Sequence, residues 1–176
     1  MKKILRNIVF WVLLILISIS MGMHSKQFSS SKVDSKTFSA MLYLMLNHSI
    51  CEISVDELSE MKNVTILDTR EPKEFEVSHL ENAINVGYSN FTLSSIADFD
   101  KDQKYVLYCS IGKRSENIAK KLIDAEFTDV NNLYGGIFEW KNRGYPVFSN
   151  STETQQVHAY DKVFGIWLTA GVKVFD

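Results

Sequence analysis

The chain reads as an α/β protein with a mainly parallel sheet, and three observations predict it. A compact β-branched run at residues 64–67 and short strand-like segments at 83–86, 105–108 and 130–134 recur along the chain. Between them lie segments with helical spacing, such as Ile118, Ala119, Leu122 and Ile123 on one face with Lys120 and Lys121 outward. Strands that alternate with amphipathic helices bury both faces of a sheet. Composition agrees: 176 residues with 45% hydrophobic, 12% aromatic and 23% charged content suffice for one core.

The elements follow in order. Lys2, Lys3 and Arg6 precede an uncharged stretch over residues 8–21, the pattern of an export signal. Residues 1–23 are therefore read as a signal peptide or as an uncleaved membrane anchor, since the apolar run is near the short limit for a spanning helix. The basic end stays in the cytoplasm and the rest is expected in the periplasm, the cell envelope or outside the cell. Without residues 1–22 the chain keeps 16 basic against 21 acidic side chains, a net charge of −5. The full-chain charge of −2 argues against nucleic acid as a partner, and the balance of −5 argues against general attraction to anionic lipid.

Residues 24–35, rich in serine, read as a linker to a domain over 36–149. Ser35 caps a helix over residues 36–47 that carries Phe38, Met41, Leu42, Met45 and Leu46 on one face, with the methionines as core filler. Ser54 and Glu57 have capping-box spacing and start a second helix. The strand at 64–67 ends at Asp68, and Pro72 opens a helix that carries Phe75. The strand at 83–86 is closed by Gly87, and the strand at 105–108 runs straight into Cys109. Gly135 and Gly136 open the last helix, which holds Trp140 and stops at Gly144 and Pro146. Residues 150–156 read as a polar linker. The tail that follows, to residue 176, carries Val163, Phe164, Ile166, Trp167 and Leu168, and is expected to pack on the domain or on a protein partner.

The chemistry centres on Cys109-Ser-Ile-Gly-Lys-Arg-Ser115. In α/β sheets ligands bind beyond the carboxyl ends of the strands. The loop's N–H groups can curl around the sulfur, with Gly112 allowing the tight path. A helix starting near Arg114 or Ser115 aims its positive end at the same point, and Lys113 and Arg114 add charge. These effects favour thiolate over thiol and make Cys109 a nucleophile, with Ser110, Ile111, Gly112, Lys113, Arg114 and Ser115 as candidate substrate-binding residues. The bland reading is a buried small residue beside solvated basic side chains. Arg114 has two roles open, a fork for an anionic donor or a brace for the loop. His48 and His158, like Asp100 and Asp102, lack a constellation, and nothing local pairs Cys51 with Cys109. No residue spacing fits a metal site.

Three segments resemble the rhodanese family. Leu67-Asp-Thr-Arg-Glu71 with Glu74, Phe75, His79, Leu80, Ala83, Asn85 and Val86 is similar to its first signature. Tyr108 to Ser115 is similar to its active-site loop, and Gly135, Gly136, Trp140, Gly144 and Pro146 to its closing segment. Ser78 and Ser110 depart from the family pattern, which has glycine and often a basic residue there. The resemblance implies a rhodanese-like fold with five mainly parallel strands flanked by helices. It also implies a sulfurtransferase that moves a sulfane sulfur from a small anionic donor such as thiosulfate to a thiol or cyanide-like acceptor. Cys109 would carry the sulfur as a persulfide, with Asp68 and Arg70 supporting the loop and no cofactor. Arg114 completes Cys-x4-Arg, one residue short of the Cys-x5-Arg cradle of cysteine phosphatases. The alternative from another class is a non-catalytic rhodanese-like binding module whose apolar tail docks a partner.

Overall fold

A computed structural model describes residues 32–176, so the export reading of residues 1–23 and most of the linker lie outside the described residues. Among the described residues no helix is long and apolar enough to cross a membrane.

Ser35 accepts the Phe38 N–H at 3.3 Å and starts α1 (Lys36–Met45), whose Phe38 and Leu42 are buried. A short strand, β1 (Cys51–Ile53), follows. The expected capping box opens α2 (Val55–Glu60): Ser54 accepts the Glu57 N–H, and the Glu57 carboxylate accepts the Ser54 N–H at 2.7 Å. Next come β2 (Thr65–Asp68), α3 (Pro72–Val77) and β3 (Ile84–Asn85). Then β4 (Lys104–Tyr108), α4 (Lys113–Asp124), β5 (Asp129–Leu133) and α5 (Gly136–Asn142) complete the alternation.

The strands form one parallel sheet in the order β1-β5-β4-β2-β3. The two-residue period of β4 divides the core. Val106 and Tyr108 face α1, α2 and α5, while Tyr105 and Leu107 face the side that holds Ile118, Ala119 and Leu122 of α4. β4 is central, and the chain crosses to opposite sides of it for β2 and β5. Its carboxyl end is thus the switch point where a crevice opens.

Several expectations need correction. Ile123 lies at the edge of the α4 stripe and is 42% exposed, because a helix face packed on a sheet is narrower than the apolar set suggested. Residues 150–156 are not a free linker. They turn a hairpin between β6 (Val147–Ser149) and β7 (Thr152–Thr154), with Asn150 and Ser151 both at positive φ, and then enter β8 (Gln156–His158). The tail packs on the domain. β8 pairs with β9 (Val172–Val174), Val157, Ala159 and Leu168 are buried, and Trp167 stacks on Phe38 at 5.3 Å. Val163 and Ile166 of the expected apolar set remain exposed.

Candidate active site

Cys109 is the first residue after β4, and the chain must turn at once to start α4. Gly112 makes that turn at φ +109, in the left-handed region, and its N–H donates to the Cys109 Sγ at 3.1 Å. The N–H groups of Ile111 and Ser115 also favour the anion of that sulfur. From β5, Asn132 holds the loop from behind. Its amide donates to the Gly112 carbonyl at 3.0 Å, and its Oδ1 accepts the Ser115 hydroxyl at 2.7 Å. The start of α5 clamps the other side, where Ile137 and Phe138 donate their N–H groups to the Cys109 and Ser110 carbonyls at 2.9 and 3.1 Å. Only a glycine allows that approach: a Cβ on Gly136 would stand 2.4 Å from the Cys109 carbonyl oxygen.

Burial pushes the Cys109 thiol up, because the sulfur is almost fully enclosed. The Arg114 charge and the Ser115, Ile111 and Gly112 N–H groups outweigh burial and hold the thiol below its ordinary value. Arg114 is itself fixed. Its Nη1 and Nη2 donate to the two Glu74 carboxylate oxygens at 2.6 and 2.8 Å, and Nη2 also donates to the Ser110 hydroxyl at 3.0 Å. The guanidinium lies 5.0 Å from the Tyr160 ring centroid. Burial pushes the Glu74 carboxyl up, but the hydrogen bonds and charge of Arg114 hold it below the usual carboxylate range. Lys113 pairs with the buried Glu116 at 3.3 Å, and Glu116 also accepts the Asn47 N–H at 2.8 Å.

A cavity of about 210 Å³ opens above the sulfur. Cys109, Ser110, Ile111, Lys113 and Arg114 line it from the loop, and Met45, Tyr160 and Phe164 line it from α1 and the tail.

Most of the residues expected at the site therefore meet around one sulfur. Ser115 is a correction: it is fully buried, its hydroxyl is spent on Asn132, and it serves the site through its backbone N–H. Gly112 likewise supplies backbone to the sulfur. Asp68 and Arg70 form a fully buried ion pair at 2.6 Å beneath the loop. Arg70 also donates to the Ser78 carbonyl at 2.6 Å and lies 5.6 Å from the Tyr108 ring, so the pair braces the residue before Cys109. Arg114 is held by Glu74 and still borders the cavity, so both of its expected roles have a structural basis.

His158 overturns its reading as a residue without a constellation. It is buried 3.9 Å from Glu74, accepts the Tyr160 N–H on Nδ1 and faces Asp176 across 3.0 Å on Nε2. Met45, read as core filler, lines the cavity, and Glu74, Asn132, His158, Tyr160 and Phe164 were likewise not identified as site residues. Asn131 and Asn132, both buried within β5, are the one local signal, since buried amides need partners. Both cysteines are free, with Cys51 exposed on β1. Among the described residues no cluster of His, Cys, Asp or Glu is placed to hold a metal.

Comparison with known proteins bears on the family and the fold. The model of the rhodanese-like domain matches residues 54–143. A thiosulfate sulfurtransferase GlpE of Coxiella burnetii is 28% identical over 101 residues, which is 57% of this chain and 90% of that protein. The GlpE of Shewanella oneidensis is 34% identical over 84 residues, 48% of this chain and 82% of that protein. A crystal structure of a rhodanese-like domain protein from Staphylococcus aureus superposes with a TM-score of 0.51 at 26% identity, covering 58% of this chain and all of that one.

Proposed function

The chain belongs to the rhodanese-like domain family, and on that premise we propose that it is a sulfurtransferase in which Cys109 carries a sulfane sulfur as a persulfide. The observation that carries this reading is an enclosed sulfur that accepts the Gly112 N–H at 3.1 Å, beside a fixed guanidinium that favours the anion. A thiolate formed in advance needs no general base. With thiosulfate, the thiolate attacks the outer sulfur, the S–S bond breaks, and sulfite leaves with the electron pair. The product is Cys109–S–S⁻, and the N–H groups and Arg114 that stabilised the thiolate stabilise this anion as well. Cyanide or a thiolate then attacks the terminal sulfur, which leaves as thiocyanate or a new persulfide and returns the thiolate.

The test is Cys109→Ser, assayed for thiocyanate production from thiosulfate and cyanide, with circular dichroism as the folding control. Activity should vanish in a folded protein, and mass spectrometry of the wild type after thiosulfate should show one added sulfur on Cys109. Undiminished activity in the variant refutes the mechanism, and a wild type that never gains sulfur favours the binding module. The proposal includes export by residues 1–23. Protease added to spheroplasts should digest the domain, and full protection removes that part.

A further inference from the structure

We infer that His158 is a positioning residue for the Cys109 site, and that it acts through Tyr160, whose ring it holds against the Arg114 guanidinium. The inference rests on the sulfurtransferase reading and goes beyond it, since the family match ends at residue 143 and both residues lie in the tail.

The first ground is how the imidazole is held. His158 is buried at the end of β8, and its Nδ1 accepts the N–H of Tyr160, two residues on, at 3.2 Å. An acceptor at Nδ1 leaves the ring proton on Nε2, which donates to Asp176 Oδ1 at 3.0 Å. Asp176 also accepts from Lys73, so the ring is pinned from its far side. The same tautomer keeps Glu74 for Arg114. Glu74 Oε1 stands 3.9 Å from Nδ1 with no proton between them, and both carboxylate oxygens stay with the guanidinium.

The second ground is what the hold secures. Tyr160 sits at φ +65, a backbone conformation costly for a bulky residue. Without the Nδ1 acceptor the residue relaxes towards negative φ and its ring swings aside. In place, the ring centroid lies 5.0 Å from the Arg114 guanidinium, and both side chains border the Cys109 cavity. The ring keeps water off one face of a guanidinium whose side chain is 14% exposed. A charge shielded from water acts more strongly on its neighbours, and the Arg114 charge is the leading influence that opposes burial at the Cys109 sulfur. His158 thus reaches the reacting sulfur through two side chains and touches neither sulfur nor substrate.

The bond from Tyr160 to Nδ1 has the form of an Asx turn, in which an asparagine oxygen accepts the N–H two residues on. In His158→Asn the amide oxygen replaces Nδ1, one bond beyond Cγ. In His158→Gln the amide lies one carbon further out and replaces the donation to Asp176 instead.

The experiment follows iodoacetamide alkylation of Cys109 against pH in the full chain, with circular dichroism as the folding control. Mass spectrometry of the Cys109 peptide is the readout, because Cys51 is exposed. His158→Gln and His158→Leu should raise the midpoint by about half a unit to one unit, while His158→Asn stays close to wild type. Tyr160→Ala, at a position 45% exposed, should raise it equally, and adding His158→Leu should raise it no further. A histidine that only filled space would make Asn, the smallest replacement, the most damaging. That order overturns the inference, as does a midpoint unchanged in folded His158→Leu. If the buried variants fail to fold, Tyr160→Ala decides, and an unchanged midpoint there also overturns it. A wild type that alkylates as expected yet gains no sulfur from thiosulfate overturns the sulfurtransferase reading instead.

Discussion

Replacing Arg114 by Gln tests whether this side chain braces the loop, and the structure supplies the magnitude. The substitution removes two hydrogen bonds to Glu74, at 2.6 and 2.8 Å, and leaves that carboxylate 2% exposed beside His158. Breaking a buried ion pair from one side costs roughly 3–5 kcal/mol. Glu74 keeps the Glu71 N–H at 3.0 Å and the Ser110 hydroxyl at 3.4 Å, which argues for the lower end, about 3 kcal/mol. For a domain of this size that lowers Tm by roughly 6–12 °C. Glu74→Gln should lower it too. The double variant, by removing both charges, should lose less than the two singles together, with a coupling of about 2 kcal/mol by urea denaturation.

The pH dependence has a definite sign. The folded carboxyl of Glu74 is held low, so the pair's contribution is present above the ordinary carboxylate value near 4.5 and is lost as pH falls through the folded value. The gap between wild type and Arg114→Gln should therefore be full at neutral pH and should narrow in acid. A Tm within about a degree of wild type at pH 7, or strictly additive variants, refutes the brace and returns Arg114 to a donor-binding role.

Two further outcomes are expected. Alkylation of Cys109 by iodoacetamide should titrate with a midpoint below the ~8.5 of a free cysteine, and Arg114→Gln should move the midpoint upward, since its charge is the leading influence that opposes burial; a wild-type midpoint at or above the free value would mean that the cradle does not favour the anion. Gly136→Ala should push α5 off the Cys109 carbonyl, with a stability loss of about 1–3 kcal/mol by urea melt and a raised alkylation midpoint, and a neutral effect on both would contradict the clamp.

What could be read in the sequence was local. A buried strand that runs into Cys109, a glycine three residues on and a basic helix start are neighbours along the chain, and they meet in space for that reason. The Ser54 and Glu57 cap is local in the same sense. Glu74, by contrast, joins Arg114 across 40 positions, and nothing near it in sequence marks a carboxylate destined for burial. Tyr160 and Phe164 reach the cavity only because β8 and β9 fold the tail back. Residues 150–156 misled because Asn150 and Ser151 adopt positive φ without a glycine to announce the turn. β1 is three residues long, too short for periodicity to register, and its partner β5 carries the polar pair Asn131 and Asn132.

The stacking of Trp167 on Phe38 has a consequence for the order in which the protein comes into being. Phe38 and Leu42 of α1 share one core cluster with Val157, Ala159 and Leu168. During synthesis the first helix of the domain emerges early, and the tail residues that complete its cover follow more than a hundred residues later. Closure depends on contacts of large sequence separation, which form late. A nascent chain halted anywhere before Leu168 should thus present a sticky helix and an unfinished cavity, the kind of surface that holdase chaperones shield.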